Sequence, residues 1–195
     1  MFGRELTQAE VEAMQSSKPM VTLVDRKGHI RGYADEDEIH VRGNRKPHRA
    51  MQIFVWSPDK QEIIIKLNRS GECKNMWGAI GTHVYYAEDY IAAAVRELNT
   101  KLGLGLSMRA AQGRLRFVFQ QDACLGTKME HIRFYTFVLN SGEVVKSKEP
   151  LMSLPFDDIK YSEHEINLVM APVFRLLISR FTRNFTGGPA WRNIL

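Results

Sequence analysis

The chain has 195 residues, 44% of them hydrophobic and 25% charged. This composition is typical of a soluble globular protein and excludes a disordered or fibrous chain. No run approaches the ~18 apolar residues of a membrane-spanning helix, and the N-terminal segment has no apolar stretch of the kind found in a secretory signal. The net charge of +5 suits a polyanionic ligand as well as it suits a solvated basic surface.

The two cysteines, Cys73 and Cys124, lie far apart in the chain and form no zinc-binding pattern. Low cysteine content is typical of proteins in a reducing compartment. We therefore expect an intracellular protein, most simply a cytoplasmic one.

A short helix and several strands are predicted in the first third of the chain. Thr7 and Glu10 have the spacing of a capping box, so the helix should run from Thr7 to about Ser16. Three short elements follow: an alternating strand over 20–25, a turn with a short strand over 26–32, and an acidic helical turn over 34–40.

The middle of the chain predicts a hairpin and then a helix. Two apolar strands, 49–57 and 62–68, flank a short turn, and a further short strand ends near Val84. The segment 88–102 should be helical, since its apolar residues recur at helical spacing and Gly103 can end the helix. The residues of this apolar stripe are Ile91, Val95, Leu98 and Leu102.

Two more strands, 113–120 and 131–139, and a long helix over 162–181 complete the pattern. We expect the strand aromatics to lie in the core. This order of elements predicts an α/β fold in which a mixed sheet is sandwiched between helices. The predicted division is an N-terminal helical extension over 1–20, one domain over 21–182, and a C-terminal tail over 183–195 whose aromatic residues could pair two copies of the chain.

The segment GTHVYYAEDYIAAAVRELNTKLGL, residues 81–104, resembles a Nudix box. That motif reads Gly, five residues, Glu, seven residues, then Arg-Glu-apolar-x-Glu-Glu-x-Gly-apolar. Three positions depart from the motif: Thr82 replaces its Gly, and Thr100 and Lys101 replace its last two Glu residues. The matching residues are Glu88, Arg96, Glu97, Leu98, Gly103 and Leu104.

The resemblance implies a metal-dependent diphosphate hydrolase with Glu97, Glu88 and Arg96 as catalytic residues and Mg²⁺ or Mn²⁺ as cofactor. Positions 97, 100 and 101 share one helix face, where three carboxylates would form an oxygen cage for the metal. Because Lys101 places an ammonium group there, the sequence predicts an impaired metal site. Glu97 and Lys101 instead have the order of a surface ion pair.

The wider range from Val21 to Phe181 is similar to the isopentenyl-diphosphate-isomerase-like branch of the Nudix superfamily. The segments VDRKGHIRG, PHRA, WGAIGTHV, PFDDIKY and APVFRLLI carry this resemblance. True isomerases hold a metal with three His and two Glu. The resemblance therefore adds His40, His48, His83 and Glu130 to Glu97 and Glu88 as candidate metal ligands, while Ile132 occupies the second Glu position.

An isomerase of this branch also needs a cysteine as one of two opposed acid–base groups. The cysteine should lie just before the Gly of the box, and Gly81 occupies that position. The isomerase reading is therefore the weakest of those that the resemblance allows.

Three functions stay open from the sequence. The first is a Nudix-type protein that hydrolyses or binds a diphosphate-containing small molecule, such as a nucleoside diphosphate derivative. The second is a non-catalytic pseudoenzyme that binds nucleotide, protein, or RNA through the basic loop 42–49. The third is an isomerase-like enzyme. The candidate ligand-binding residues are Arg49, Arg45, Lys46 and Lys66.

Overall fold

The computed structural model describes residues 7–16, 18–41, 46–69, 73–125 and 128–155. The predicted helix over 162–181 and the C-terminal tail lie outside the described residues, as do residues 42–45 of the basic loop, which include Arg45. Within the described ranges the chain forms four helices and one mixed nine-stranded sheet. The elements are α1 (Gln8–Gln15), β1 (Met20–Val24), β2 (Ile30–Asp35), α2 (Glu36–Ile39), β3 (His48–Ser57), β4 (Glu62–Leu67), β5 (Trp77–Gly78), β6 (Ile80–His83), α3 (Tyr90–Leu102), α4 (Met108–Gln112), β7 (Leu115–Leu125), β8 (Lys128–Val138) and β9 (Leu151–Pro155).

Strand β3 is the centre of the sheet. It pairs antiparallel with β1, β4 and β6 and parallel with β8. Most of its residues are buried, as expected for a strand that is covered on both faces. The mixed sheet with flanking helices confirms the predicted α/β fold.

The residues of β3 alternate between two apolar layers. Met51, Ile53 and Val55 pack towards α3, whereas Ala50, Phe54 and Trp56 belong to a separate cluster on the opposite face. The predicted apolar stripe of α3 is confirmed, with its residues buried or partly buried in the first cluster. This division into an α3 face and an opposite face decides which polar residues can meet.

The ends of two helices follow the sequence prediction closely. The capping box of α1 is present, with the Thr7 hydroxyl accepting from the Glu10 amide and the Glu10 carboxylate accepting from the Thr7 amide. Helix α3 begins two residues later than predicted, because the Asp89 carboxylate caps it by accepting from the Ala92 amide. Gly103 ends α3 in the left-handed conformation, as predicted.

The expectation that all strand aromatics lie in the core was wrong for Phe117. A bulge between Phe117 and Phe119 shifts the register against β8. It sends Phe119 to the face of Phe134, on which it stacks, and leaves Phe117 on the α3 face. Because β7 pairs with β8 alone among the described strands, Phe117 lies on an edge strand and is 55% exposed.

Gly103 and Gly105 allow a matched test of the packing at the end of α3. Both have φ of +63°, but a Cβ on Gly103 would lie 2.6 Å from the Lys146 carbonyl oxygen, whereas a Cβ on Gly105 would meet nothing within 4 Å. Gly105→Ala should lower the free energy of unfolding by about 1 kcal/mol, because alanine is strained in the left-handed conformation. Gly103→Ala should lower it by about 1–3 kcal/mol more, because its Cβ would also clash with the Lys146 carbonyl oxygen. Urea denaturation measures both, and equal losses would show that the Lys146 segment moves aside freely.

Candidate functional site

Three histidines from separate elements converge on one face of the sheet. His40 follows α2, His48 begins β3 and His83 ends β6. One ligand atom from each lies within 4.8 Å of the other two, and the Nε2 atoms of His40 and His83 are 3.3 Å apart. The sheet register explains the convergence, because His83 pairs with Ala50, two residues along β3 from His48, so both side chains lie on one face.

Glu130 of β8 adds a carboxylate to this group. It pairs directly with His48 across the parallel strands, and its Oε1 lies 3.9 Å from His48 Nε2 and 3.8 Å from His83 Nε2. We call His40, His48, His83 and Glu130 the histidine cluster. The structure thus brings together the four residues that the isomerase-like resemblance suggested as a metal set.

Outer contacts orient the imidazoles of the cluster. His48 Nδ1 lies 2.8 Å from the Lys46 carbonyl oxygen, and His83 Nδ1 lies 3.0 Å from Glu36 Oε1. Each ring therefore turns its Nε2 towards the others, as the outer partners of metal-binding histidines do. His48 is completely buried, yet its Nε2 makes no hydrogen bond with the described residues. A buried nitrogen in that state, beside two imidazoles and a carboxylate, fits a transition-metal ligand set.

The charges around the cluster favour a cation at its centre. Burial lowers the pKa of His83, but hydrogen bonds and charges from Glu130 and Glu36 outweigh this effect and raise it. The hydrogen bond with His83 lowers the pKa of Glu36 to about 2. Glu36 also accepts from the Tyr85 hydroxyl at 2.9 Å. It therefore stays ionised and stabilises positive charge at the cluster, whether that charge is a proton or a metal ion.

Arg96 and Glu88 of the box-like segment form a bidentate ion pair. Arg96 Nε donates to Glu88 Oε1 at 2.6 Å and Nη2 donates to Oε2 at 3.1 Å. Arg96 Nη2 also donates to the His83 carbonyl oxygen at 2.9 Å, and its guanidinium lies 4.3 Å from the centre of the Tyr85 ring. Glu88 also accepts from the Tyr85 amide, so both of its carboxylate oxygens are engaged.

Glu97 is buried between cations. Its Oε1 lies 3.8 Å from Lys66 Nζ and its Oε2 lies 3.8 Å from Arg96 Nη1. Burial raises the pKa of Glu97, although the cations around it act in the opposite direction. Burial likewise lowers the pKa of Lys66 against the opposing charge of Glu97.

The predicted surface ion pair between Glu97 and Lys101 was wrong. Glu97 is buried, and the Lys101 ammonium instead donates to the carboxylate of Glu149, which lies far along the chain. The Thr100 hydroxyl donates to the Arg96 carbonyl oxygen of its own helix at 2.7 Å. The two substituted box positions therefore make contacts of their own and direct no ligand towards Glu97.

Glu97 and the histidine cluster lie on opposite faces of the sheet. Thr82, next to His83, pairs with Met51 of the α3 face and accepts from Arg96 Nη1 at 3.3 Å. His83 consequently points away from α3. The candidate ligands thus form two separate groups: the histidine cluster, and the box carboxylates with their cations.

The remaining described candidate ligand-binding residues do not form one group. Lys46 Nζ lies 3.5 Å from Glu38 Oε2, Lys66 pairs with Glu97, and Arg49 lies on the α3 face. Sequence reasoning missed Glu36, although an acidic residue four positions before His40 was a usable signal.

The space at position 81 bears on the cysteine that an isomerase needs. A Cβ there would come within 2.4–2.7 Å of the Gln52 side chain. A cysteine at this position would therefore require Gln52 to move.

The chain belongs to the NUDIX domain family, whose model matches residues 46–177. This match covers more than half of the chain and includes β3, the box-like segment and most of the histidine cluster. No curated protein matches the sequence. No helix among the described residues is long and apolar enough to cross a membrane.

Solved structures share the fold at low sequence identity. DR0079 of Deinococcus radiodurans has a TM-score of 0.62 at 15% identity, covering 83% of this chain and 98% of that one. A MutT protein of Methanosarcina mazei has a TM-score of 0.55 at 12% identity, with 72% and 96% covered. A bifunctional NMN adenylyltransferase/ADP ribose pyrophosphatase of Francisella tularensis, solved with AMP and a manganese ion, has a TM-score of 0.54 at 15% identity, and the match covers 70% of this chain but only 41% of that one.

Arg96→Lys tests whether the bidentate ion pair stabilises the folded protein. Lysine keeps the charge but cannot make the parallel hydrogen bonds to Glu88 and the contact with His83. The free energy of unfolding should fall by about 1–3 kcal/mol. Arg109→Lys, on an exposed position of α4, is the control and should change it by less than about 0.5 kcal/mol. Equal effects in urea denaturation would rule out a special role for Arg96.

Proposed function

We propose that this chain acts on a diphosphate-containing small molecule, of the nucleoside diphosphate class, with a divalent transition metal held by the histidine cluster. The observation that carries the proposal is the convergence of His40, His48 and His83, whose ligand atoms lie within 4.8 Å of one another. Glu130 Oε1 lies 3.9 Å from His48 Nε2 and 3.8 Å from His83 Nε2. Membership of the NUDIX domain family supplies the ligand class. The activity that best fits the family and this site is pyrophosphohydrolysis.

The ligand chemistry favours Mn²⁺ over Mg²⁺ at the histidine cluster. Imidazole nitrogens suit transition metals, whereas Mg²⁺ prefers an all-oxygen set. A metal bound there would neutralise charge on a diphosphate and lower the pKa of a coordinated water. The chain's own contribution is to hold the imidazoles in place through the Lys46 carbonyl and Glu36, and to keep His48 away from water. The Francisella structure, solved with manganese, shares this fold.

The box-like helix contributes less to metal binding than a complete Nudix box would. The Lys66 ammonium lies near Glu97 where a metal would be expected, and Lys101 is engaged by Glu149. A divalent ion next to Lys66 would face repulsion of several kcal/mol, since two unit charges ~4 Å apart already interact by about 4 kcal/mol at an effective dielectric of 20. We therefore infer that the box metal site is impaired and that Arg96 and Glu88 serve to position His83.

A non-catalytic binding protein is the second candidate. The two ion pairs on the box face, Lys66 with Glu97 and Lys101 with Glu149, support it because they satisfy the carboxylates without metal. An isomerase is less favoured. Ile132 stands where that branch has its second Glu, and Gln52 fills the space next to Gly81 that a cysteine would need.

Titration with Mn²⁺ tests the histidine cluster. The protein should bind one Mn²⁺, and His48→Gln should weaken that binding at least about 100-fold, because one ligand and the orientation of the others are lost. His29→Gln is the matched control, since His29 is exposed and contacts Asp25 outside the cluster. Calorimetry measures both affinities. Equal affinities in the two variants would contradict the proposed site.

Restoring the box carboxylates tests the impaired site. The double variant Thr100→Glu/Lys101→Glu should gain a Mg²⁺-binding event that the parent protein lacks, since it places three carboxylates on one helix face. Calorimetric Mg²⁺ titration of the two proteins makes the comparison, and release of phosphate from a nucleoside diphosphate panel measures hydrolysis with Mn²⁺. If the parent binds Mg²⁺ as well as the double variant, the site is not impaired. If the parent binds Mn²⁺ but releases no phosphate, the non-catalytic function is favoured.

A further inference from the structure

Two arginines on the α3 face share one aromatic ring. Arg49 of β3 and Arg133 of β8 both place their guanidinium groups over Tyr90, the first residue of α3, at 5.5 and 4.3 Å from the ring centre. Tyr90 is 5% exposed, so its ring provides a fixed apolar support for both cations.

Neither arginine has a carboxylate partner among the described residues. Arg49 Nη2 donates to the Gly28 carbonyl oxygen at 3.1 Å, and Arg133 Nε donates to the amide oxygen of Gln120 at 2.9 Å. Both acceptors are neutral. Every other partly buried lysine or arginine in the described part of the chain pairs with an acid, and these pairs are Lys46–Glu38, Lys66–Glu97, Arg96–Glu88, Lys101–Glu149 and Arg114–Glu143.

The carboxylates nearby are already engaged. Asp89 caps α3 through the Ala92 amide, and Asp122 Oδ1 lies 2.6 Å from His131 Nδ1. Two half-buried guanidinium groups with no compensating acid repel each other, and an oxyanion would remove that repulsion. The hydroxyl of Tyr90 is also buried and makes no hydrogen bond with the described residues, so it adds a donor at the same place.

An exposed aromatic ring completes this surface. Phe117 is 55% exposed, although it is a large apolar side chain. Its ring centre lies 5.8 Å from that of Tyr135 and 5.9 Å from the guanidinium of Arg133. Its pairing with Tyr135 puts it on the α3 face beside Arg133. A flat apolar ring next to a guanidinium group, with a second guanidinium on the same Tyr90 ring, matches the two halves of a nucleotide, which are a base that stacks and a phosphate that accepts hydrogen bonds.

We propose that Arg49, Arg133, Tyr90 and Phe117 form a nucleotide-binding surface that is separate from the histidine cluster. Arg49 and Arg133 hold the phosphates, and the base stacks on Phe117. A mononucleotide fits better than RNA, because recognition of a single strand uses successive stacking platforms along a basic groove. Since this surface lies on the sheet face opposite the histidine cluster, the proposal stands without a metal in that cluster.

Binding of ADP in the presence of EDTA tests the proposal, with calorimetry as the readout. The unmodified protein should bind ADP. Arg133→Gln should weaken the affinity at least about tenfold, since it removes a charge-assisted contact. Phe117→Ser, an exposed substitution that leaves the core intact, should weaken ADP binding about fivefold or more while leaving pyrophosphate binding within about twofold. The control is Arg116→Gln, which makes the same charge change at an exposed position whose partner, Thr136, belongs to the opposite face. It should leave ADP binding within about twofold.

Each contrary result overturns part or all of the proposal. Absence of ADP binding, or equal loss in Arg116→Gln and Arg133→Gln, overturns the surface as a site. Unchanged ADP affinity in Phe117→Ser would show that the base does not stack on Phe117. The surface would then be an oxyanion-binding site and not a nucleotide-binding one. Tight binding of single-stranded RNA that ADP does not displace would contradict the proposal that the ligand is a mononucleotide. His48→Gln, which removes the proposed metal ligand, should bind ADP normally in EDTA, so failure at one site is distinguishable from failure at the other.

Discussion

The ion pair between Arg96 and Glu88 connects the helix of the box carboxylates to the strand that carries His83. It joins α3 to the loop that precedes the helix, and the same guanidinium donates to the backbone of His83. This contact holds the end of β6 against the helix, while the pairing of β6 with β3 sets the direction of the His83 side chain. Removing Arg96 would leave the largely buried carboxylate of Glu88 without its cation, which is more costly than losing a surface ion pair.

In the box-like helix, two cations surround one buried carboxylate. Glu97 retains the box position, but the charge that would balance it now comes from Lys66 and Arg96. An ammonium group on a neighbouring strand thus provides the neutralising charge that a cation provides in a metal cage. The positions that would supply the other two ligands, Thr100 and Lys101, bond to their own helix and to Glu149.

Local patterns in the sequence predicted much of the fold. The capping box at Thr7, the apolar stripe of α3 and the stop at Gly103 each depend on residues within a few positions of one another. The candidate metal ligands were found only through the family resemblance, since no spacing rule links His40 to Glu130. What the sequence could not predict depends on contacts between distant segments. Lys101 meets Glu149 only after folding, and the exposure of Phe117 follows from the place of β7 at the edge of the sheet.

The parallel pairing of β3 with β8 also determines when the histidine cluster can form. His48 and Glu130 are partners in that ladder although they are 130 − 48 = 82 residues apart. Closing a loop of this length carries an entropic cost that is recovered only after the strands have paired. The four side chains of the cluster therefore meet only where this long-range pairing has formed. A group of candidate ligands built in this way is complete only in the folded domain, because no short fragment of the chain contains all four residues.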